Sequence, residues 1–147
     1  GRTAALDAEF AKGTMKKVIQ QTATWDEAEA KKIVESVINS GEKFNVIYAE
    51  NDGMAKGAVA ALDEAGITHG VNGDVVVMGF DCNKWALREL LAGNWNYDGQ
   101  CSPFQAAVIE NMIKTGNVTS KKVISEEKGF DAKTITKADI DTYGLGD

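Results

Sequence analysis

Three polar residues in this chain each follow closely on an apolar run. Asp81 comes directly after Val75-Val76-Val77-Met78-Gly79-Phe80, Asn51 follows Phe44-Asn45-Val46-Ile47-Tyr48-Ala49 and Glu50, and Gln100 closes the stretch that starts at Trp95. A carboxylate is acceptor-only and can take hydrogen bonds from two neighbouring hydroxyls, in charge-assisted bonds about twice as strong as neutral ones. An amide offers one acceptor and two donors, which suits a hydroxyl that must both give and receive. One carboxylate with two amides is matched to a polyol rather than to an anion. Each residue also has a structural use: Asn51 or Asp52 as a helix N-cap, Asp81 as a cap or turn residue, Gln100 as a solvated loop residue. Taken singly, those uses are the commoner ones. At three successive strand ends the ligand reading gains. Asp52 is assigned to the cap, because the neighbour of Asn51 should point elsewhere.

Trp25 lies in Gln21-Thr22-Ala23-Thr24-Trp25-Asp26, ahead of a helical pattern. An indole there can stack on the apolar face of a sugar ring and keep its N–H for a hydrogen bond. The alternative is a hydrophobic staple at a helix entry. Trp85, with Leu87 and Leu91 nearby, reads as core; Trp95 opens a strand and reads as core or rim. Catalysis has little support. His69 sits in the Gly66-Ile67-Thr68-His69-Gly70 loop, away from Cys82 and Cys101, and Asp81 alone makes no acid/base pair. No glycine-rich phosphate loop follows a strand, and no metal-ligand spacing surrounds the cysteines. No cofactor or metal is expected.

These residues must be held by alternating strands and helices. The pattern gives a short extended stretch at 16–21, a helix at 26–39, a buried strand at 44–49, a helix at 53–65 and a strand at 74–79. It continues with a helix at 83–92, a strand at 95–99, a helix opened by Pro103 and running to 115, a strand candidate at 122–125 and a helical turn at 137–143. Such repetition predicts an α/β fold, a parallel sheet with helices on both faces. Ligands of such sheets bind at the carboxyl ends of the strands, at a topological switch point. Those ends are Glu50-Asn51-Asp52, Phe80-Asp81-Cys82 and Asp98-Gly99-Gln100-Cys101.

A length of 147 residues favours one domain. A chain of this size buries about 68–70% of its unfolded surface and needs no metal or disulfide staple. Hydrophobic residues are 44% and charged residues 26%, as in globular proteins generally, and the net charge is −6. No Lys/Arg cluster is dense enough to hold a phosphate backbone, so nucleic acid is excluded as a partner. No apolar run approaches the ~20 residues of a membrane-spanning helix. The first residues show neither a signal peptide nor a lipobox, so any export signal is expected to have been removed or to lie outside this chain.

Four segments resemble the periplasmic sugar-binding family that includes the ribose-, glucose/galactose- and galactofuranose-binding proteins. Thr22-Ala23-Thr24-Trp25-Asp26-Glu27-Ala28-Glu29-Ala30 is similar to the family stretch whose aromatic residue stacks on the sugar. Tyr48-Ala49-Glu50-Asn51-Asp52-Gly53-Met54-Ala55-Lys56-Gly57-Ala58 matches the signature NDxMAxGA, whose Asn binds sugar hydroxyls. Val77-Met78-Gly79-Phe80-Asp81 matches GFD, whose Asp is a ligand residue. Gln100-Cys101-Ser102-Pro103 falls where the family places a Gln or Asn ligand ahead of a helix. The pair NDxMAxGA and GFD is specific, whereas either alone is weak.

The resemblance implies a substrate-binding component of an ABC-type sugar importer, periplasmic or anchored outside the cell as a lipoprotein. Its partners would be a small sugar and the transporter permease, and its sugar-binding residues Trp25, Asn51, Asp81 and Gln100. Family members are about twice this length, with two lobes joined by a hinge. The resemblance therefore implies an incomplete type I lobe at 1–102 that lacks its opening strand. It further implies a helical segment at 103–120 that packs on an absent first lobe or a second copy, and a tail at 121–147 returning to the hinge. Relatives often carry a sugar-binding Arg on the first helix; the corresponding place here falls at Leu6 or Ala8, so no Arg is assigned, Arg2 included. A Cys82–Cys101 disulfide bracing the site and two buried thiols stand as equal alternatives. The runner-up function is the effector-sensing domain of a lactose-repressor-like regulator, which shares the fold. A flavodoxin-like enzyme or receiver domain would need a phosphate-accepting loop or acidic pocket after the first strand, and Gln21-Thr22-Ala23-Thr24 supplies neither.

Overall fold

The structure, a computed structural model, describes residues 1–102, 106–116 and 126–146. Its elements in chain order are α1 (Arg2–Phe10), α2 (Glu27–Asn39), β1 (Val46–Tyr48), α3 (Asp52–Glu64), β2 (Val76–Asp81), α4 (Lys84–Ala92), β3 (Tyr97–Gln100), α5 (Ala106–Thr115), β4 (Gly129–Asp131) and α6 (Lys137–Tyr143). The sheet order is β1-β2-β3-β4, with β1, β2 and β3 parallel and β4 antiparallel to β3. The expected α/β architecture is present. The sheet is mixed rather than purely parallel, because the chain returns along β3 through Gly129-Phe130-Asp131. Three parallel strands with an antiparallel edge are a common form of such sheets.

Local chemistry starts and stops the helices where the residues dictate. Asp26 accepts from Glu29 N at 2.8 Å at the head of α2, and Glu27 and Glu29 meet the positive end of the helix dipole. Asn51 does the same for α3 through Met54 N at 2.8 Å. Gly93, at φ 83°, closes α4 in the left-handed conformation that glycine adopts without strain. Thr136 and Asp139 form a reciprocal capping box on α6.

Alternation along the strands sorts side chains to two faces. Val77, Gly79 and Asp98 face α3 and α4, over a core of Leu62, Leu87, Leu90, Val75 and Trp95, each 2% exposed or less. Trp95 is therefore core, and Trp85 meets it edge-on with centroids 5.9 Å apart. Leu91, by contrast, is exposed. Val46, Tyr48, Val76, Met78 and Phe80 alternate to the opposite face, where Val46 and Val76 remain exposed. Helical cover is thus deep on one face and sparse on the other, where α1 brings its first residue over the Phe80 ring.

Residues 16–21 form no strand: the stretch is irregular, Ile19 is exposed, and among the described residues the outer edge of β1 has no ladder partner. Apolar pattern can propose a strand, but only a neighbour's backbone groups can hold one. The strand candidate at 122–125 and the Pro103 helix start lie outside the described residues. No helix among those described is long and apolar enough to cross a membrane.

Candidate functional site

The parallel strands end together, and their ends carry the residues singled out above. Asp81 and Gln100 are register partners as the last residues of β2 and β3. Asn51 sits at the corresponding end of β1, where Ala49 N donates to Met78 O at 3.0 Å and ties that end to β2. The structure therefore gathers the amide, the carboxylate and the second amide on one edge of the sheet.

A fourth residue joins them. The Arg2 guanidinium donates from Nη2 to Asp81 Oδ1 at 3.1 Å and from Nη1 to the Glu50 carbonyl, and its Cζ stands 4.9 Å from the Phe80 ring centroid. Phe80 can lie flat here because Gly99 has no Cβ; one would stand 2.6 Å from the Phe80 ring. Arg2 thus links the β1 and β2 ends. Neither Leu6 nor Ala8 takes that place. The sequence reading leaves Arg2 unassigned, because matching the first helix to relatives that carry a sugar-binding Arg there places that position at Leu6 or Ala8. The resemblance is the available signal; the register of the helix is what misleads it.

Hydrogen bonds already made limit what each group offers a guest. Asn51 Oδ1 is committed to the α3 cap, so its Nδ2 amide protons are what it presents. Gln100 Oε1 accepts from Lys128 N at 3.2 Å, which likewise leaves its amide donors. Asp81 Oδ1 takes Arg2, and Oδ2 remains an acceptor. Burial pushes the Asp81 carboxyl above its ordinary value, and the Arg2 charge and hydrogen bond partly restore it. The site is richer in donors than the residue list alone implies.

Asp52 is not the cap. It is fully buried, and its Oδ2 accepts from Asn83 N at 2.8 Å and Asn83 Nδ2 at 2.9 Å, across the sheet end. Asn83 accordingly makes no side-chain cap for α4. Cys82 is fully buried, Cys101 is exposed, and both are free thiols, so neither the disulfide nor the paired buried thiols is what the structure holds. His69 bridges Asn94 O at 2.8 Å and Asp63 Oδ1 at 3.0 Å, remote from both cysteines.

Trp25 shares no hydrogen bond or ring contact with the other four among the described residues. It is 61% exposed, at the second central position of a turn closed by Asp26 N to Ala23 O at 2.9 Å. Thr24 and Trp25 both have positive φ, at 50° and 66°. Buried Ala23 and the Asp26 cap anchor the turn on either side, and the indole is held out to solvent. Among the described residues its ring stacks on no other aromatic ring.

Comparison with known proteins places the fold. Residues 1–115 match the model of the periplasmic binding protein domain. The chain is 40% identical over 143 residues to the D-apiose import binding protein of Paraburkholderia graminis, covering 89% of this chain and 42% of that protein. It is 30% identical over 123 residues to the fructose import binding protein FruE of Bifidobacterium longum, covering 80% of this chain and 36% of the relative. The binding component of the arabinose ABC transporter from Shewanella sp. ANA-3, solved with α- and β-L-arabinofuranose, superposes with a TM-score of 0.80 at 26% identity. That match covers 97% of this chain and 48% of that one. The chain spans less than half the length of these relatives, two of them sugar import binding proteins and the third the periplasmic binding component of an arabinose ABC transporter. With its parallel strands ending in one polar edge, this chain belongs to the periplasmic binding protein family.

Proposed function

We propose that this chain supplies one wall of the sugar cleft in the substrate-binding component of an ABC-type importer, and that it acts by binding rather than by catalysis. The observation that carries this reading is the Arg2–Asp81 pair at the strand ends, flanked by Asn51 and by Gln100 in register with Asp81. A guanidinium, two amide donor groups and a carboxylate oxygen are suited to an uncharged guest with several hydroxyls. Trp25 caps the guest by stacking on its C–H face. The exposed Val108, Ile109 and Ile113 of α5 form the face that packs on a first lobe, and the described tail, residues 126–146, runs toward the hinge. Closure of two lobes over the sugar then presents a shape that the permease recognises. The site of action is outside the cytoplasmic membrane, in the periplasm or at a lipid-anchored position. No observation favours a regulator's effector domain over this reading.

The test is calorimetry of the chain against D-apiose, D-allose, L-arabinose and myo-inositol, with citrate as an anionic control. One wall should give weak, millimolar-range heats for at least one polyol and none for citrate. Preference for citrate, or binding undiminished by Asp81→Ala, would reject it.

A further inference from the structure

Two fully buried carboxylates meet behind the site. Asp98 lies on β3 opposite Gly79, and Asp52 reaches the same point from the first turn of α3. Gly79 makes the gap between them: a Cβ there would stand 2.8 Å from Asp52 Oδ1 and 2.7 Å from Trp95 Cζ3. Each carboxyl spends one oxygen on the turn that follows β2. Asp98 Oδ1 accepts from Cys82 N at 3.3 Å, and Asp52 Oδ2 accepts from both nitrogens of Asn83. The other two oxygens, Asp52 Oδ1 and Asp98 Oδ2, are buried with no hydrogen-bond partner, and Asp98 lies opposite Gly79, whose missing Cβ is what makes room for Asp52 Oδ1. Two buried charges so placed would repel across a dry interior, whereas one proton held between the orphaned oxygens satisfies both.

The turn they hold is strained. Asp81 and Cys82 have φ of 114° and 59°, conformations that non-glycine residues keep only where their surroundings enforce them. The tail helps, with Leu145 N donating to Cys82 O at 2.8 Å, but the amide hydrogens of residues 82 and 83 end on the two carboxyls.

We propose that Asp52 and Asp98 are positioning residues for Asp81: a carboxyl pair sharing one proton that fixes the Asp81-Cys82-Asn83 turn and so aims the Asp81 carboxylate. This rests on the reading of Asp81 as a sugar ligand, and goes beyond it by assigning the geometry to two residues that touch no guest. The direction in which each carboxyl is pushed agrees with it. Burial, then the charge of Asp52, pushes Asp98 up to about 9, and burial pushes Asp52 up to about 6. The other ionisable groups facing the pair are Asp81, itself held by Arg2, and the Cys82 thiol; Tyr97 on β3 senses Asp98.

The experiment uses the ligand-free chain, labelled for NMR, with Asp98→Asn and Asp98→Leu. Asparagine keeps an acceptor for Cys82 N and a permanent donor where the protonated acid has its O–H; leucine supplies neither. Asp98→Leu should speed hydrogen exchange at Cys82 and Asn83 about tenfold or more, and that at Leu90 far less. Asp98→Asn should keep exchange within about twofold of the parent. The parent amides of Cys82 and Asn83 should also shift in a step well above the carboxylate range, a step that Asp98→Asn removes. Unchanged exchange in a folded Asp98→Leu chain overturns the proposal. Should that variant not fold, absence of the pH step in the parent, or its persistence in Asp98→Asn, overturns it alone. No readout involves sugar, so a failure of the functional reading shows separately, in the calorimetry.

Discussion

Arg2 and Asp81, 79 positions apart in the chain, are joined by a 3.1 Å bond between Nη2 and Oδ1. The pair brings the start of α1 to the end of β2 and sets a cation beside the only carboxylate among the proposed ligands. Both side chains are partly accessible, at 22% and 32%, so a guest can reach them while much of the surrounding water is excluded. That is the regime in which a charge-assisted bond to a hydroxyl contributes most.

Replacing Arg2 with Gln should therefore act on Asp81 as well as on the guest. Burial already raises the Asp81 carboxyl, and Arg2 is what opposes it. In Arg2→Gln its titration, followed by carboxyl carbon NMR, should move further upward, and polyol affinity should fall at least about tenfold. An unmoved Asp81 titration would show that the pair does not persist in solution.

The buried pair gives the fold a pH dependence of definite sign. Asp52 and Asp98 are both raised from 3.8, so their contribution to stability is full below that value and is lost as pH climbs through about 6 and then about 9. Asp131 and Asp139 are lowered and act oppositely, losing their contribution as pH falls through their folded values. The difference between parent and Asp98→Asn isolates the pair. Denaturant unfolding should show the parent losing stability relative to the variant between neutral pH and pH 9; a constant difference would contradict the shared proton.

Gly57 is where α2 and α3 touch. A Cβ there would lie 2.0 Å from the Glu27 carbonyl oxygen, a backbone atom that cannot step aside. Gly57→Ala should cost about 1–3 kcal/mol in urea unfolding by forcing the helices apart. Glu27 is two residues from Trp25, so the same change should shift the Trp25 turn relative to Asn51 and weaken polyol binding even where the fold survives.

Tryptophan emission separates the three indoles. Trp95 is 1% exposed, Trp85 packs against it, and Trp25 is 61% exposed. Trp25→Phe should remove the red edge of the emission and leave the remainder blue-shifted. Saturating polyol should change the parent spectrum and leave that of Trp25→Phe unaltered; an equal response in both would take Trp25 out of the site.

The strands and helices that build the site follow from apolar runs bounded by Gly, Asn and Asp, and β1, α3, β2, α4 and β3 lie within a few residues of where the pattern puts them. What the pattern misses depends on partners. Residues 16–21 have strand composition but no ladder to join, while Gly129-Phe130-Asp131 has little strand composition yet pairs with β3. Among the candidate site residues, Asn51, Asp81 and Gln100 can be picked out of the sequence because each lies at or just beyond the end of a strand. The buried pair Asp52 and Asp98 cannot, since an isolated Asp reads as surface, cap or turn until its burial is known, and Arg2 needs the register of α1 against the strand ends.

The account stands on Arg2, Asn51, Asp81 and Gln100 meeting one polyhydroxyl guest beneath Trp25. Chemical-shift mapping of the labelled chain with D-allose and D-apiose, extended to contacts between sugar C–H protons and the Trp25 indole, tests this most directly. The predicted result is shifts centred on those four residues and on Trp25, with sugar-to-indole contacts. Shifts centred instead on His69, Asp63 and Asn94, at the opposite ends of the strands, would contradict it.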